Sequence, residues 1–272
     1  MIREIRTGRD ESILEAASTD GLGRLSFYHP VGTFALTPAS HILMNAIIQN
    51  KALLSGNGID WGSGVGCLAI LAAKISAVDR VYGLEISQAN VEAARINAER
   101  NGVCHKVSFM LADSYCPLNE EEKQALDELR GTFNFIISNP PSSDWDDGFG
   151  FRRLVMTGAK DFLKKDGLVL LNVSFQYGAK RVESLYQNTR DFVYEGTAAS
   201  TDWVPFDLTR ADLLNCLKVY AQEEAAGGTD YTFSDNGSDS RFINARTALD
   251  TYIKSGVSPL TKWQTQLFRY CG

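Results

Sequence analysis

The stretch "IDWGSGVG", Ile59–Gly66, leaves an apolar segment through an acid and enters a turn with a glycine at every second position. Glycine lets the backbone turn sharply and lets a ligand approach closely. An alanine-rich apolar run to Ser76 follows, with the look of a helix. Strand, glycine turn and helix in that order open an α/β unit, and in open α/β sheets ligands bind outside the carboxyl ends of the strands. Taken alone, Gly62, Gly64 and Gly66 are also compatible with nothing more than a tight strand–helix turn.

The pattern repeats downstream. "GIDW" ending at Trp61, "RVYGLEI" at Ile86, "KVSFMLAD" at Asp113, "FNFIIS" at Ser138 and "GLVLLNVS" at Ser174 are continuous apolar runs, as expected of strands covered on both faces. Helical patterns lie after each: Val65–Ser76, Ser87–Asn101 with a serine cap, Asn119–Arg130 opening N-x-x-E, Phe151–Lys165 stopping at Asp166-Gly167, and Gly178–Arg190. Five alternations predict a doubly wound, mostly parallel sheet. Two more strand-like runs end at Ser200 and Cys271, giving seven strands. Between them, residues 201–260 read as a helical insertion. Its first helix follows a capping box at Thr209–Asp212, and its second spans Ser240–Ser255 with Phe242 on its apolar face. We divide the chain into an N-terminal helical or loop segment, 1–54, whose start "MIREIRTGRDESILEAA" is charged and helix-like, and a main domain, 55–272.

Composition narrows the function classes. The chain has 272 residues, 44% hydrophobic, enough for one large α/β domain. No run of about 20 apolar residues occurs, so no membrane span is expected, and the charged start lacks the apolar core of a secretory signal. A cytoplasmic protein is expected. Five cysteines, odd in number and without C-x-x-C, argue against disulfide frameworks and zinc sites. Three scattered histidines lack metal-ligand spacing, so no metal is expected. A net charge of −6 argues against a large nucleic-acid footprint. A local basic patch at "FRRL" (Phe151–Leu154) and "KDFLKKD" (Lys160–Asp166) remains open, with solvated helix faces the commoner explanation.

Acids recur at successive strand ends: Asp60, Glu85 and Asp113. A carboxylate at Glu85 can accept hydrogen bonds from two ribose hydroxyls, and Asp113 with Ser114 can meet an adenine edge. A dinucleotide fold also ends its second strand in an acid, but here Cys67 stands where that fingerprint wants its third glycine. Three acids and no call for phosphate at the helix N-terminus suit a nucleoside without phosphate.

On these residues the chain resembles the class I S-adenosylmethionine-dependent methyltransferases, over roughly Phe34–Ser174 and the last strand. With "SNPPSSD" at Ser138–Asp144 it looks most like the N-methyltransferases that carry an Asn-Pro-Pro-aromatic tetrapeptide, and specifically like the HemK-type glutamine methyltransferases. The resemblance implies S-adenosylmethionine as cofactor. It implies that Asp60, Gly62, Ser63, Gly64 and Gly66 meet its methionine part, that Glu85 with Ile86 takes the ribose, and that Asp113 with Ser114 takes the adenine. Thr37, in "FALTPAS", would reach the cofactor carboxylate, and Asn139 would stand beside the methyl group.

The tetrapeptide then has a physical reason. A residue before proline is pushed out of the α region, so Asn139 and Pro140 are both held extended. The side-chain carbonyl of Asn139 and the backbone carbonyl of Pro140 are two acceptors for the hydrogens of one –NH₂ group. Held that way, a delocalised nitrogen turns its lone pair toward the methyl group, and its developing charge is stabilised. Asn139 and Pro140 are the candidate catalytic residues, and Pro141 and Ser142 the candidate substrate contacts. Ser142 departs from the family's aromatic and cannot stack on a flat group. Either Trp145, Phe149 or Phe151 supplies the face, or the substrate is not flat. Asp144, Asp146 and Asp147 form an acidic loop open to solvent or to a cationic substrate.

The expected function is methyl transfer to an amide or amine nitrogen, foremost of a protein glutamine side chain. A nucleobase amine in RNA or DNA and a small-molecule amine are the alternatives within the class. A nucleotide-dependent oxidoreductase and a non-catalytic cofactor-binding module are the alternatives outside it.

Overall fold

A computed structural model describes residues 4–6, 10–33, 35–143, 146–187 and 191–272. In chain order its elements are β1 (Glu4–Arg6), β2 (Glu11–Leu14), β3 (Leu25–Tyr28), α1 (Pro38–Gln49), β4 (Gly56–Trp61), α2 (Cys67–Ala73), β5 (Val78–Glu85), α3 (Gln88–Arg100), β6 (Val107–Asp113), β7 (Cys116–Pro117), α4 (Glu120–Asp127), β8 (Phe133–Ser138), α5 (Gly150–Phe162), β9 (Leu163–Asn172), α6 (Gly178–Gln187), β10 (Phe192–Ser200), β11 (Val204–Pro205), α7 (Ala211–Ala225), β12 (Phe233–Ser234), β13 (Phe242–Ile243), α8 (Ala245–Ser255), β14 (Leu260–Thr261) and β15 (Gln264–Tyr270).

The central sheet has the order β10-β15-β9-β8-β4-β5-β6-β7. β4 pairs parallel with β5 and β8, β5 with β6, and β8 with β9. β15 runs antiparallel between β9 and β10. The seven strands read from the sequence are all present, and β7 adds a short antiparallel edge on β6. The chain order reverses between β4 and β8, so the carboxyl ends of β4, β5, β6 and β8 converge on one crevice. Apolar residues cover both faces of the sheet. Phe135 and Ile137 join a cluster with α1, α2 and α3, while Ile59 and Ile136 join one with α5, the insertion and Phe268. Burial on both faces explains why these strands carry no polar alternation.

Several boundaries differ from the sequence reading. The described part of the charged start is not α-helical: residues 4–6 and 11–14 are strands, the first pairing with the second and the second with β3, in a three-stranded antiparallel sheet. Packing on α3 overrides the local pattern there, with the Tyr28 and Ser26 backbones bonded to the Asn97 and Asn101 side chains. α2 is shorter than Val65–Ser76. α5 ends at Phe162, not at Asp166-Gly167; that pair lies inside β9, where Asp166 takes φ 65° and the register against β8 skips from Leu163 to Leu168. α6 ends at Gln187, and positions 188–190 lie outside the described residues.

The insertion holds the two helices expected and also a four-stranded sheet, β11-β14-β12-β13. α7 is not started by a Thr209 capping box; Asp207 Oδ1 instead accepts from the N–H and hydroxyl of Thr209. α8 begins at Ala245, and Phe242 belongs to β13. Phe206, Tyr231 and Phe233 of the insertion are fully buried in the core cluster on that face of the sheet.

Candidate active site

A cavity of about 630 Å³ opens at the crevice where the strand order reverses. One end is lined by the start of α1, the glycine turn and the carboxyl ends of β5 and β6. The other is lined by the Asn-Pro-Pro loop, the end of β9 and residues of α7.

The first end is built mainly by local hydrogen bonds. Gly62 and Ser63 donate their N–H groups to the Leu84 carbonyl at 2.9 and 3.0 Å, which pins the turn to β5. Gly62 (φ 71°) has open space where a Cβ would stand. Gly66 (φ 85°) has none: a Cβ would lie 2.6 Å from the Phe109 ring, so only glycine lets α2 pack this closely. Glu85, buried at the end of β5, accepts from Gly64 N–H through Oε2 and from Ser87 N–H through Oε1, each at 2.8 Å. Each carboxylate oxygen keeps a further acceptor position for a ligand. Asp60 is fully buried, and its Oδ2 accepts from Ala69 N–H at 2.9 Å. Its Oδ1 has no hydrogen-bond partner, nor has the buried Ser63 hydroxyl. Burial pushes the Asp60 carboxyl up to about 8, with the Glu85 charge adding to the rise and the Ala69 N–H opposing it.

Asp113 is exposed at the end of β6, and Ile86 stands out from the end of β5. Ser114 takes φ 55° and accepts from the Trp61 indole N–H at 3.0 Å. Thr37 caps α1 through a reciprocal pair with Ser40, so the helix N-terminus faces the cavity with Thr37 on its wall. Every sequence-predicted cofactor residue lines this cavity except Asp60 and Gly66, which lie beneath the turn.

The second end is built by side chains from distant elements. Asn139 Oδ1 accepts from Asn172 Nδ2 at 2.8 Å. Asn172 Nδ2 also donates to Ala39 O at 2.6 Å, and Thr265 Oγ1 donates to Asn172 Oδ1 at 2.5 Å. The guanidinium of Arg152, 5% exposed, donates to Pro140 O at 3.3 Å, to Pro141 O and Gly148 O at 3.2 Å, and to Asn172 O at 3.0 Å. The two carbonyls read as free acceptors at Asn139 and Pro140 are therefore each already holding one donor. A carbonyl oxygen has two lone pairs, so one position remains on each.

Ser142 packs its hydroxyl against Gly148, 2.6 Å from where a Cβ there would stand. Phe149 does not supply the missing flat face: it is fully buried, edge-on to Tyr177. Trp145 and Asp144 lie outside the described residues. Phe151 does line the cavity, tilted on Trp61, and Tyr177, Phe206, Tyr220 and Trp263 add further rings. The acidic loop is not free: Asp146 and Asp147 pair with Arg153, and Asp147 lies 3.7 Å from Arg181. Burial alone would raise the Asp147 carboxyl, but the Arg153 hydrogen bonds and the Arg153 and Arg181 charges outweigh it and hold it below the usual range. With Arg152 buried and Arg153 paired, "FRRL" is no basic patch.

Arg152, Asn172, Gln176, Thr265 and the α7 residues escape a reading by local pattern. One signal was available: Asn172 interrupts the apolar run "GLVLLNVS", and a polar residue inside a strand buried on both faces needs partners.

This strand order, with a glycine turn after β4 and acids ending β4, β5 and β6, defines a class I S-adenosylmethionine-dependent methyltransferase. Solved structures of similar fold include the tRNA m1G37 methyltransferase of M. jannaschii (TM-score 0.53, 14% identity, 98% of this chain and 59% of that chain). A 16S rRNA N2 G1207 methyltransferase of T. thermophilus, solved with AdoMet and guanosine, has TM-score 0.51 at 21% identity, over 71% of this chain and 47% of that one. The profile of the Methyltransferase small domain matches residues 25–195, and the chain belongs to that family. Among curated relatives, a release factor glutamine methyltransferase of Thermodesulfovibrio yellowstonii is 24% identical over 179 residues, 57% of this chain and 60% of its own. A ribosomal protein L11 methyltransferase of Shewanella halifaxensis is 46% identical over 145 residues, 53% of this chain and 42% of its own. The chain thus spans less than two thirds of the length of these relatives.

S-adenosylmethionine is the cofactor of this class, and the residues present fit it. Glu85 keeps acceptor positions at the cavity, and Gly62 leaves room for close approach. Among the described residues no His, Cys, Asp or Glu cluster could hold a metal, and no helix is long and apolar enough to cross a membrane.

Proposed function

We propose that the protein transfers a methyl group from S-adenosylmethionine to an amide or amine nitrogen, foremost the side-chain amide of a protein glutamine. The observation that carries this reading is the Asn139 side-chain carbonyl, fixed at the end of β8 in the same cavity as the glycine turn. When bound, the cofactor supplies an electrophilic methyl group. Asn139 Oδ1 and Pro140 O each accept one N–H of the incoming nitrogen. That holds its lone pair in line and stabilises the positive charge that grows on it.

Gly62, Ser63, Gly64 and the α1 N-terminus would hold the methionine part, Glu85 the ribose hydroxyls, and Asp113 with Ser114 the adenine. The relatives that share part of this sequence are named for methylation of a release factor glutamine and of ribosomal protein L11, which supports a protein acceptor. A nucleobase amine is the second reading, favoured by the half-buried rings of Phe151 and Trp263 on the cavity wall, which offer flat faces that Ser142 lacks.

The deciding experiment incubates the protein with a cell extract and S-adenosylmethionine labelled in the methyl group. Label in protein, at glutamine and lost with Asn139→Ala, is the expected result. Label in RNA or DNA establishes the second reading. Label at oxygen or carbon overturns both.

A further inference from the structure

We infer that Asn172 is a positioning residue that sets which way round the Asn139 amide stands. The inference rests on the N-methyltransferase reading above and adds a residue that no pattern around Asn-Pro-Pro announces.

The argument starts from a group that cannot be turned around. Ala39 O is a backbone carbonyl and only accepts. Asn172 meets it at 2.6 Å, so the atom presented there is the –NH₂ nitrogen. That leaves Oδ1 at the other side, where Thr265 Oγ1 donates to it at 2.5 Å. The second hydrogen of the same –NH₂ group points at Asn139 from 2.8 Å. Only an acceptor satisfies it, so Asn139 presents Oδ1 and not Nδ2.

A side-chain amide in a cavity otherwise has two orientations of nearly equal shape. Only one offers the oxygen on which a substrate N–H can settle; the other presents a donor to a donor. Asn172 is 2% exposed, its carbonyl backbone is held by Arg152 Nε at 3.0 Å, and it has no freedom to invert. A run of hydrogen bonds from hydroxyl to amide to amide also polarises each carbonyl beyond what a single bond does. Asn139 Oδ1 is one end of that run.

Asn172→Asp tests this without changing shape. A carboxylate offers no donor to Ala39 O or to Asn139, and Asn139 gains a reason to invert and present its –NH₂ group. Single-turnover methyl transfer is measured with labelled S-adenosylmethionine and the extract's acceptor pool, for the parent, Asn172→Asp, Asn139→Ala and the double variant. S-adenosylhomocysteine affinity and thermal midpoint are followed in parallel. The expected result is a rate loss for Asn172→Asp of about 10-fold, the scale of one hydrogen bond between neutral groups. Cofactor affinity should stay within about threefold, and the double variant should be no slower than Asn139→Ala alone. Non-additivity of that kind marks residues acting as one unit.

Thr265→Val, which removes the far donor, should lose about 2–10-fold, and Thr265→Ser should restore the rate. If Asn172→Asp transfers at the parent rate, or if its loss multiplies with that of Asn139→Ala, Asn172 is only a structural residue and the inference is overturned while the N-methyltransferase reading stands. If Asn139→Ala itself transfers at the parent rate, or the parent labels nothing in the extract, the underlying reading falls and takes this inference with it.

Discussion

At the cofactor end of the cavity, Glu85 binds the N–H groups of residues 2 and 21 positions away, and Asp60 binds one 9 positions away. At the acceptor end, Asn139 is held by a residue 33 positions away, which in turn is held from 133 and 93 positions away. The two ends share one cavity and are assembled by different means. The first is a short-range turn whose shape follows from glycines and one carboxylate. The second exists only when four distant pieces of chain have docked, and its polar groups are buried with each donor committed to a particular acceptor. A local change at the first end weakens one ligand contact. A local change at the second disturbs a network whose members orient one another.

The sharpest way to break this contrast is Arg152→Met. It removes one buried guanidinium and strips a donor from four carbonyls, each costing about 1–3 kcal/mol if left bare. We expect a loss of about 3–5 kcal/mol in urea denaturation. A loss below about 1 kcal/mol would show that water replaces the arginine and that the acceptor end is less committed than its geometry suggests.

Asn139→Ala should separate the two ends. We expect a fall in kcat of about 10²–10³ with cofactor affinity nearly intact, by analogy with removing one preorganised oxyanion donor. Equal losses in rate and cofactor affinity would mean that the two ends are not separable.

Glu85→Ala acts on the other end. Calorimetry with S-adenosylhomocysteine should show binding weakened by about 1.5–3 kcal/mol, the range for hydrogen bonds to a charged group. Unchanged affinity would remove Glu85 from the ribose role.

Asp60→Asn should give an effect that depends on pH. Folded Asp60 holds its proton up to about 8, whereas an unfolded aspartate releases it near its ordinary value of 3.8. Between these values the native state binds more protons than the unfolded one, so this residue lowers stability as pH rises through the window. The asparagine variant, keeping the bond to Ala69 N–H, should match the parent near pH 4. Its advantage over the parent should grow as pH rises from 4 toward 8. Thermal melts across that range test it, and a constant difference would mean that Asp60 titrates normally.

The same contrast explains what could be read from the sequence. All seven main strands, the glycine turn and the acids at the strand ends lie in short runs whose meaning is local, and each falls where its pattern put it. The helix stop at Asp166-Gly167 failed because Asp166 adopts a positive φ inside a strand, and glycine-rich pairs punctuate bulges as well as helix ends. The opening residues misled because β2 pairs with β3, whose Ser26 and Tyr28 backbones are in turn held by Asn101 and Asn97, some seventy residues on. The acceptor end was legible only at Asn-Pro-Pro. Nothing near Asn139 in sequence announces Asn172, Thr265 or the α7 wall, since those contacts arise from sheet order and insertion packing.

The place of β15 has a consequence for synthesis. It is the last strand in sequence, yet it sits between β9 and β10, and it carries Thr265 to Asn172. Thr265 follows Asn139 by 126 residues, which at about 5–20 residues per second is an interval of about 6–25 s. The glycine turn, β5 and β6 have all been made by then, and the nascent chain can form the glycine-turn half of the cavity well before the Asn-Pro-Pro half. The wall that carries Asn172 and Thr265 is therefore complete only once β15 is inserted into a sheet whose neighbours on both sides were made first.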